Sequence, residues 1–163
     1  NVSSPNTPEL RNLQSVSFLK KILKTLITEN KIGERKPILV KVSPDLSNRQ
    51  LADVVRLLME LNIDGIICSN TTVARENLKS DKLKNESGGL SGKPLSKRST
   101  EMVKLIKNQA GDKLPIVAVG GIMTPDDVVE KINAGASLVQ IYTGWIYYGP
   151  TLVYDTNKRL LKE

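Results

Sequence analysis

The sequence predicts an α/β fold built on parallel strands. Three observations carry that prediction. Short β-branched runs alternate with amphipathic helical stretches, the runs are almost continuously apolar, and each is closed by a polar or glycine-rich turn. Near-continuous apolar strands separated by helices are the pattern of a parallel sheet buried on both faces.

Four runs read as strands. Residues 38–42 (ILVKV) end in Ser43-Pro44-Asp45, and residues 64–69 (DGIICS) end in Asn70-Thr71-Thr72. Residues 115–119 (PIVAV) end in Gly120-Gly121, and residues 138–142 (LVQIY) end in Thr143-Gly144. Helical patterns lie between them. Phe18, Leu19, Ile22, Leu23, Leu26 and Ile27 make one apolar stripe, ending before Gly33. Leu51, Val54, Val55 and Leu58 make a second, and Ser47 with Gln50 has the spacing of a capping box. Met102, Val103, Leu105 and Ile106 belong to a third, which runs out at Gly111. Thr124-Pro125-Asp126-Asp127 supplies a cap, a first-turn proline and acids at the positive end of a fourth, closed by Gly135. A last helix is expected over 152–161.

Repeated strand–helix units imply right-handed crossovers, in an open doubly wound sheet or a closed barrel. No G-x-G-x-x-G follows a strand, which counts weakly against a dinucleotide-binding sheet. The polar strand ends favour a (β/α)8 TIM barrel, whose active sites collect at C-terminal strand ends and whose phosphate site often uses the last two loops. A barrel needs eight units and typically ~250 residues. Four whole strands are present, and NVSSPN at residues 1–6 has the composition of a fifth strand's C-terminal end. The expectation is therefore the second half of a barrel, from the end of strand 4 through strand 8. Residues 1–163 would form the C-terminal half of one domain, with the N-terminal half of the same barrel as structural partner.

Apolar residues make up 39% and charged residues 25% of the 163 positions, as in a folded globular chain. No apolar run approaches the roughly 18 residues that would span a bilayer. One cysteine and no histidine leave no intramolecular disulfide, little for a zinc site and no histidine base; no metal is expected. The net charge of +7 reads as solvated helix faces, with Lys20, Lys21, Lys24, Lys104 and Lys107 spread along them, or as an anionic partner. Nucleic acid is not expected to be that partner, because aromatics are 4% and do not interleave with basic residues.

The candidate chemistry sits at the strand ends. Lys41, inside an apolar strand, is either a lysine that snorkels to solvent or a cation at the barrel mouth. As a cation it could stabilise an anionic ring or form a Schiff base. Asn70-Thr71-Thr72 is either a turn cap or a set of amide and hydroxyl contacts to a planar ligand. Gly88-Gly89-Leu90-Ser91-Gly92 lies in a long polar loop, 73–98, that is either a flexible insertion or functional. With Gly120-Gly121, its glycines would let backbone N–H groups converge on a phosphate. Ser4 cannot belong to a histidine triad, and Cys68 reads as a small core residue.

Taken in order, NVSSPNT, LVKVSPD, CSNTTV, GGLSGKPL, VAVGGI and AGASLVQIYTG resemble the dihydroorotate dehydrogenases, and Ser4 resembles the serine of their quinone-linked class 2. The resemblance covers essentially the whole chain but only the later part of a family member. It implies FMN-dependent oxidation of dihydroorotate to orotate in pyrimidine biosynthesis, with a quinone as electron acceptor. It implies Ser4 as the catalytic base and Asn1, Asn6, Asn70 and Thr71 on the substrate. It puts Asn1, Lys41 and Ser69 beside the flavin ring, and Ser91, Gly92, Gly120, Gly121, Tyr142 and Thr143 on the flavin phosphate side. The segment 5–14 is the candidate lid. The family's N-terminal helical pair, which lies outside this sequence, would bring peripheral membrane association, at the mitochondrial inner membrane in a eukaryote or the cytoplasmic face of the inner membrane in a bacterium. Two alternatives stand beside this reading: a (β/α) barrel lyase or isomerase acting on a phosphorylated substrate through Lys41, and a barrel fragment without activity.

Overall fold

The computed structural model of the chain describes residues 2–5, 13–76, 78, 82 and 84–162. Its strands are β1 (Leu39–Val42), β2 (Gly65–Cys68), β3 (Ile116–Val119) and β4 (Leu138–Gln140). They form a parallel sheet in the order β1-β2-β3-β4. This order never reverses, so each crossover repeats the previous one. With right-handed crossovers the helices then collect on one side of the sheet, which is a partial (β/α) barrel rather than a doubly wound sheet. Among the described residues β1 and β4 each pair on one side only.

The helices are α1 (Val16–Glu29), α2 (Asn48–Glu60), α3 (Ser96–Ala110), α4 (Pro125–Asn133), α5 (Thr143–Tyr148) and α6 (Thr151–Leu160). α2 begins with the expected capping box, Ser47 and Gln50 bonding one another's backbone. α4 begins with a second box, Thr124 with Asp127, and a proline at its start. Each box satisfies donors that a helix start otherwise leaves unpaired.

Alternation along the strands sorts side chains between two faces. Val40, Val42, Ile66, Cys68, Ile116 and Ala118 pack with Leu51, Val55, Leu58, Met102, Val103 and Ile106 in the core under the helices. Leu39, Lys41, Ile67, Val117, Leu138 and Gln140 occupy the alternate positions on the inner face. The register carries Lys41 to Ile67, Val117 and Leu138 across the sheet. The strands were expected to be buried on both faces; here the outer face is covered, while Leu39 is 41% and Leu138 64% exposed. The apolar stripe of α1 is likewise covered only in part: Leu19 and Leu23 are buried, but Phe18 and Leu26 are about half exposed.

Two further differences concern loops. The long polar loop ends earlier than expected, at Gly92, where a 3₁₀ turn (Lys93–Leu95) leads into α3. The loop folds back through reciprocal backbone bonds between Thr72 and Leu90, at 3.1 and 2.7 Å. α5 was not foreseen, because TGWIYY has β-forming residues and no amphipathic period. Tertiary packing overrides that propensity: a Cβ on Gly144 would stand 2.4 Å from the Ile122 carbonyl oxygen, so only glycine lets this turn lie against the segment after β3.

Candidate active site at the strand C-termini

The C-terminal strand ends enclose an open pocket of about 710 Å³. Lys41 reaches it from β1, and Ser69, Asn70 and Thr71 from the exit of β2. Ser91 and Gly92 come from the long loop, Gly120 and Gly121 from the exit of β3, and Tyr142 and Thr143 from the exit of β4. Ten candidate residues, separated by as much as the distance from Lys41 to Thr143, thus surround one space. Ser4 is half-buried and not among the residues lining it. Asn1 and Asn6 lie outside the described residues, as does most of the candidate lid.

Each wall has a local cause. Lys41 shares the inner face with Ile67 and Val117 because it is two residues from Leu39 and in register with Ile67. No hydrogen bond or ion pair holds its ammonium among the described residues. Asn70 is tied on both sides. Its Oδ1 accepts from the Thr71 N–H at 2.8 Å, and its Nδ2 donates to the Ser3 hydroxyl at 3.0 Å. The turn-cap reading of Asn70 is therefore realised; the Thr71 hydroxyl also donates to Oδ1, at 3.5 Å, so one amide N–H remains for a ligand. Ser69 is buried and its hydroxyl donates to the Asn70 carbonyl at 3.1 Å. The Cys68–Ser69 peptide bond is cis.

The glycine loop meets Thr71 closely. A Cβ on Gly89 would stand 1.9 Å from Thr71 Oγ1 and 2.6 Å from Pro5 Cγ, so a side chain there would push the loop off the strand end. Arg75 ties the same loop by donating to the carbonyls of Glu86 and Gly88. At the far end, Thr143 Oγ1 donates to Ser91 Oγ at 2.9 Å and joins the loop to the exit of β4.

Gly120 and Gly121 have φ of +115° and +75°, a region that L side chains rarely adopt. A Cβ on Gly120 would meet the Leu95 side chain and one on Gly121 would meet Ser96. The pair therefore offers the pocket backbone only, and neither N–H has a hydrogen-bond partner among the described residues. Free N–H groups beside two hydroxyls suit an anionic group such as a phosphate. Amides, hydroxyls and a cation at the β1 and β2 side suit a planar polar ring.

Two residues escaped the sequence reading. Gln140 lines the pocket; its signal was the period of two that puts it on the same face as Leu138. Lys131 is completely buried, and its signal was a lysine three positions after Val128 on the buried stripe of α4. Near it, Asp127 pairs with Lys93 at 3.0 Å. Burial works against ionisation of Asp127, but bonds from the Met123 N–H, Lys93 and Thr124 outweigh it and hold the carboxyl below its usual range. Cys68 is a buried core thiol, as expected, and burial pushes it up to about 12.

The dihydroorotate dehydrogenase family model matches residues 1–163. A dihydroorotate dehydrogenase (quinone) of Christiangramia forsetii is 52% identical over 164 residues, covering 100% of this chain and 48% of the relative. One of Trichodesmium erythraeum is 51% identical over 170 residues, covering 100% of this chain and 44% of the relative. The crystal structure of DHODH from Eimeria tenella in complex with ferulenol superposes with a TM-score of 0.93 at 35% identity, over 99% of this chain and 48% of that one. The chain thus spans about half the length of the relatives it matches.

Proposed function

The chain belongs to the dihydroorotate dehydrogenase family, and on that premise we propose that this pocket holds FMN and dihydroorotate in a protein that oxidises dihydroorotate to orotate and passes the electrons to a quinone. The observation that carries the reading is the convergence of ten dispersed residues on one pocket at the strand ends. The donor set fits the flavin: the N–H groups of Gly120 and Gly121, without partners among the described residues, with the Ser91 and Thr143 hydroxyls for the phosphate, and Lys41 and Ser69 for the ring. When bound, FMN supplies a hydride acceptor for C6 of the substrate.

The chain's own residues supply the rest. Ser4 takes the proton from C5. A serine is a poor base in water, so the step needs a pocket from which water is excluded. Asn70 and Thr71 orient the flat, anionic substrate, because the remaining Asn70 N–H can donate to it in the plane of the amide. The ties of Asn70 to Ser3 and Thr71 fix that plane before the ligand arrives. Lys41 brings a positive charge to the side where hydride acceptance leaves negative charge. Asn1 and Asn6 join the substrate side and Tyr142 the phosphate side. The other half of the barrel would complete the site and bring the quinone entrance and a peripheral membrane contact. Among the described residues no helix is long and apolar enough to cross a membrane.

The experiment is purification of the full-length protein, a visible absorption scan and an orotate titration followed by the flavin band. A yellow protein whose spectrum shifts with orotate is expected. A colourless protein that takes up no added FMN would remove the reading.

A further inference from the structure

Lys131 of α4 has no exposed surface, and burying an ammonium is costly before its partners are counted. All three of its N–H donors go to the first turn of α3: the Ser96 carbonyl at 2.8 Å, the Ser99 hydroxyl at 2.6 Å and the Thr100 hydroxyl. That is the positive end of α3, where a cation gains nothing from the helix dipole. Stabilising α3 therefore does not account for it. The same turn is the platform for the glycine pair. Ser99 Oγ donates to the Gly120 carbonyl at 2.8 Å, and a Cβ on Gly121 would stand 2.1 Å from Ser96 Cα. Two of the three residues that Lys131 holds, Ser99 and Ser96, thus abut Gly120 and Gly121.

We propose that Lys131 is a positioning residue for the phosphate end of the site: by fixing Ser96 and Ser99 it sets the Gly120–Gly121 backbone in the orientation that receives an anion, and it puts a buried positive charge behind that backbone. The proposal rests on the reading of this pocket as an FMN site. The charged and titratable groups around Lys131 are Asp127 and Glu130 of α4, Lys93 of the 3₁₀ turn and Cys68 of β2. Burial lowers the ammonium to about 8, against the opposing influence of the Glu130 and Asp127 carboxylates. Cys68, pushed up to about 12, stays protonated while Lys131 titrates.

The test titrates the full-length apoprotein with FMN and with riboflavin, which lacks the phosphate. Ser99→Ala cuts the link to Gly120 but leaves Lys131 two acceptors. It should weaken FMN by about tenfold and riboflavin by less than about twofold, as expected for one lost hydrogen bond. In the wild type the preference for FMN over riboflavin should fall as pH rises from about 7 to about 9, as Lys131 loses its proton, and in Lys131→Met that slope should vanish. If Lys131→Met does not fold, Ser99→Ala decides alone. FMN affinity unchanged in Ser99→Ala, or FMN and riboflavin weakened equally, makes Lys131 a packing residue and overturns the proposal. A wild type that does not prefer FMN to riboflavin overturns the phosphate assignment itself, and is told apart because that failure lies in the wild type and not in the variants.

Discussion

Asn70 and Ser3 are joined by a 3.0 Å hydrogen bond from the Asn70 amide to the Ser3 hydroxyl, which fastens the segment at residues 2–5 to the exit of β2. This bond holds the neighbour of the candidate base against a candidate substrate residue. Asn70→Ala should weaken orotate binding about tenfold or more while FMN is retained, since two or three hydrogen bonds are lost at a polar site. Asn70→Asp keeps the acceptor for the Thr71 N–H but sets a carboxylate against an anionic ligand, so it should bind orotate more weakly still. Isothermal titration with orotate checks both, and recovery of affinity in Asn70→Asp would reduce Asn70 to a turn cap.

Ser4→Ala should slow flavin reduction by dihydroorotate roughly 10²–10⁴-fold, the usual cost of losing a general base. Orotate affinity should hardly change, because Asn70 and Thr71 are intact. Ser4→Cys should retain part of the rate with its pH optimum moved, since a thiol ionises more readily than a hydroxyl. Stopped-flow reduction at constant substrate saturation measures both. A wild-type rate in Ser4→Ala would move the base elsewhere.

Lys41 lines the pocket, and no hydrogen bond or ion pair to another described residue holds its ammonium. Lys41→Met should leave the barrel folded and lower the flavin midpoint potential by about 30 mV or more, which for two electrons corresponds to ~1.4 kcal/mol. Potentiometric titration with the far-ultraviolet spectrum as control is the measurement. An unmoved potential at full FMN occupancy would make Lys41 an ordinary strand-end lysine.

Gly121 serves both the pocket and the packing. Its absent Cβ would stand 2.1 Å from Ser96 Cα, a backbone atom that cannot step aside, at a φ of +75°. Gly121→Ala should therefore cost at least about 2 kcal/mol of stability as well as FMN. Gly33→Ala is the control: φ is +85° but nothing lies within 4 Å, so only the backbone strain of about 1 kcal/mol is expected. Urea unfolding of the two variants side by side checks the difference, and equal midpoints would show that the Ser96 contact relaxes freely.

The local signals in this sequence determined where elements start, where they stop and which side of each is apolar. Ser47 with Gln50 and Thr124 with Asp127 act within one helical turn, so their spacing alone identified two helix starts. The four strands were legible because β-branched runs and their glycine or asparagine closures are also local. Tertiary structure decided what depends on distance. It brought Ser91 to Thr143 and Ser3 to Asn70, contacts that no periodicity announces. It turned TGWIYY into a helix by pressing Gly144 on Ile122. It also buried Lys131, a residue whose composition reads as surface, because the Ser96 carbonyl and the Ser99 and Thr100 hydroxyls of another helix meet its three donors there. A propensity is a property of one short segment, whereas the desolvation of a charge and the fit of a missing Cβ belong to the segments packed around it.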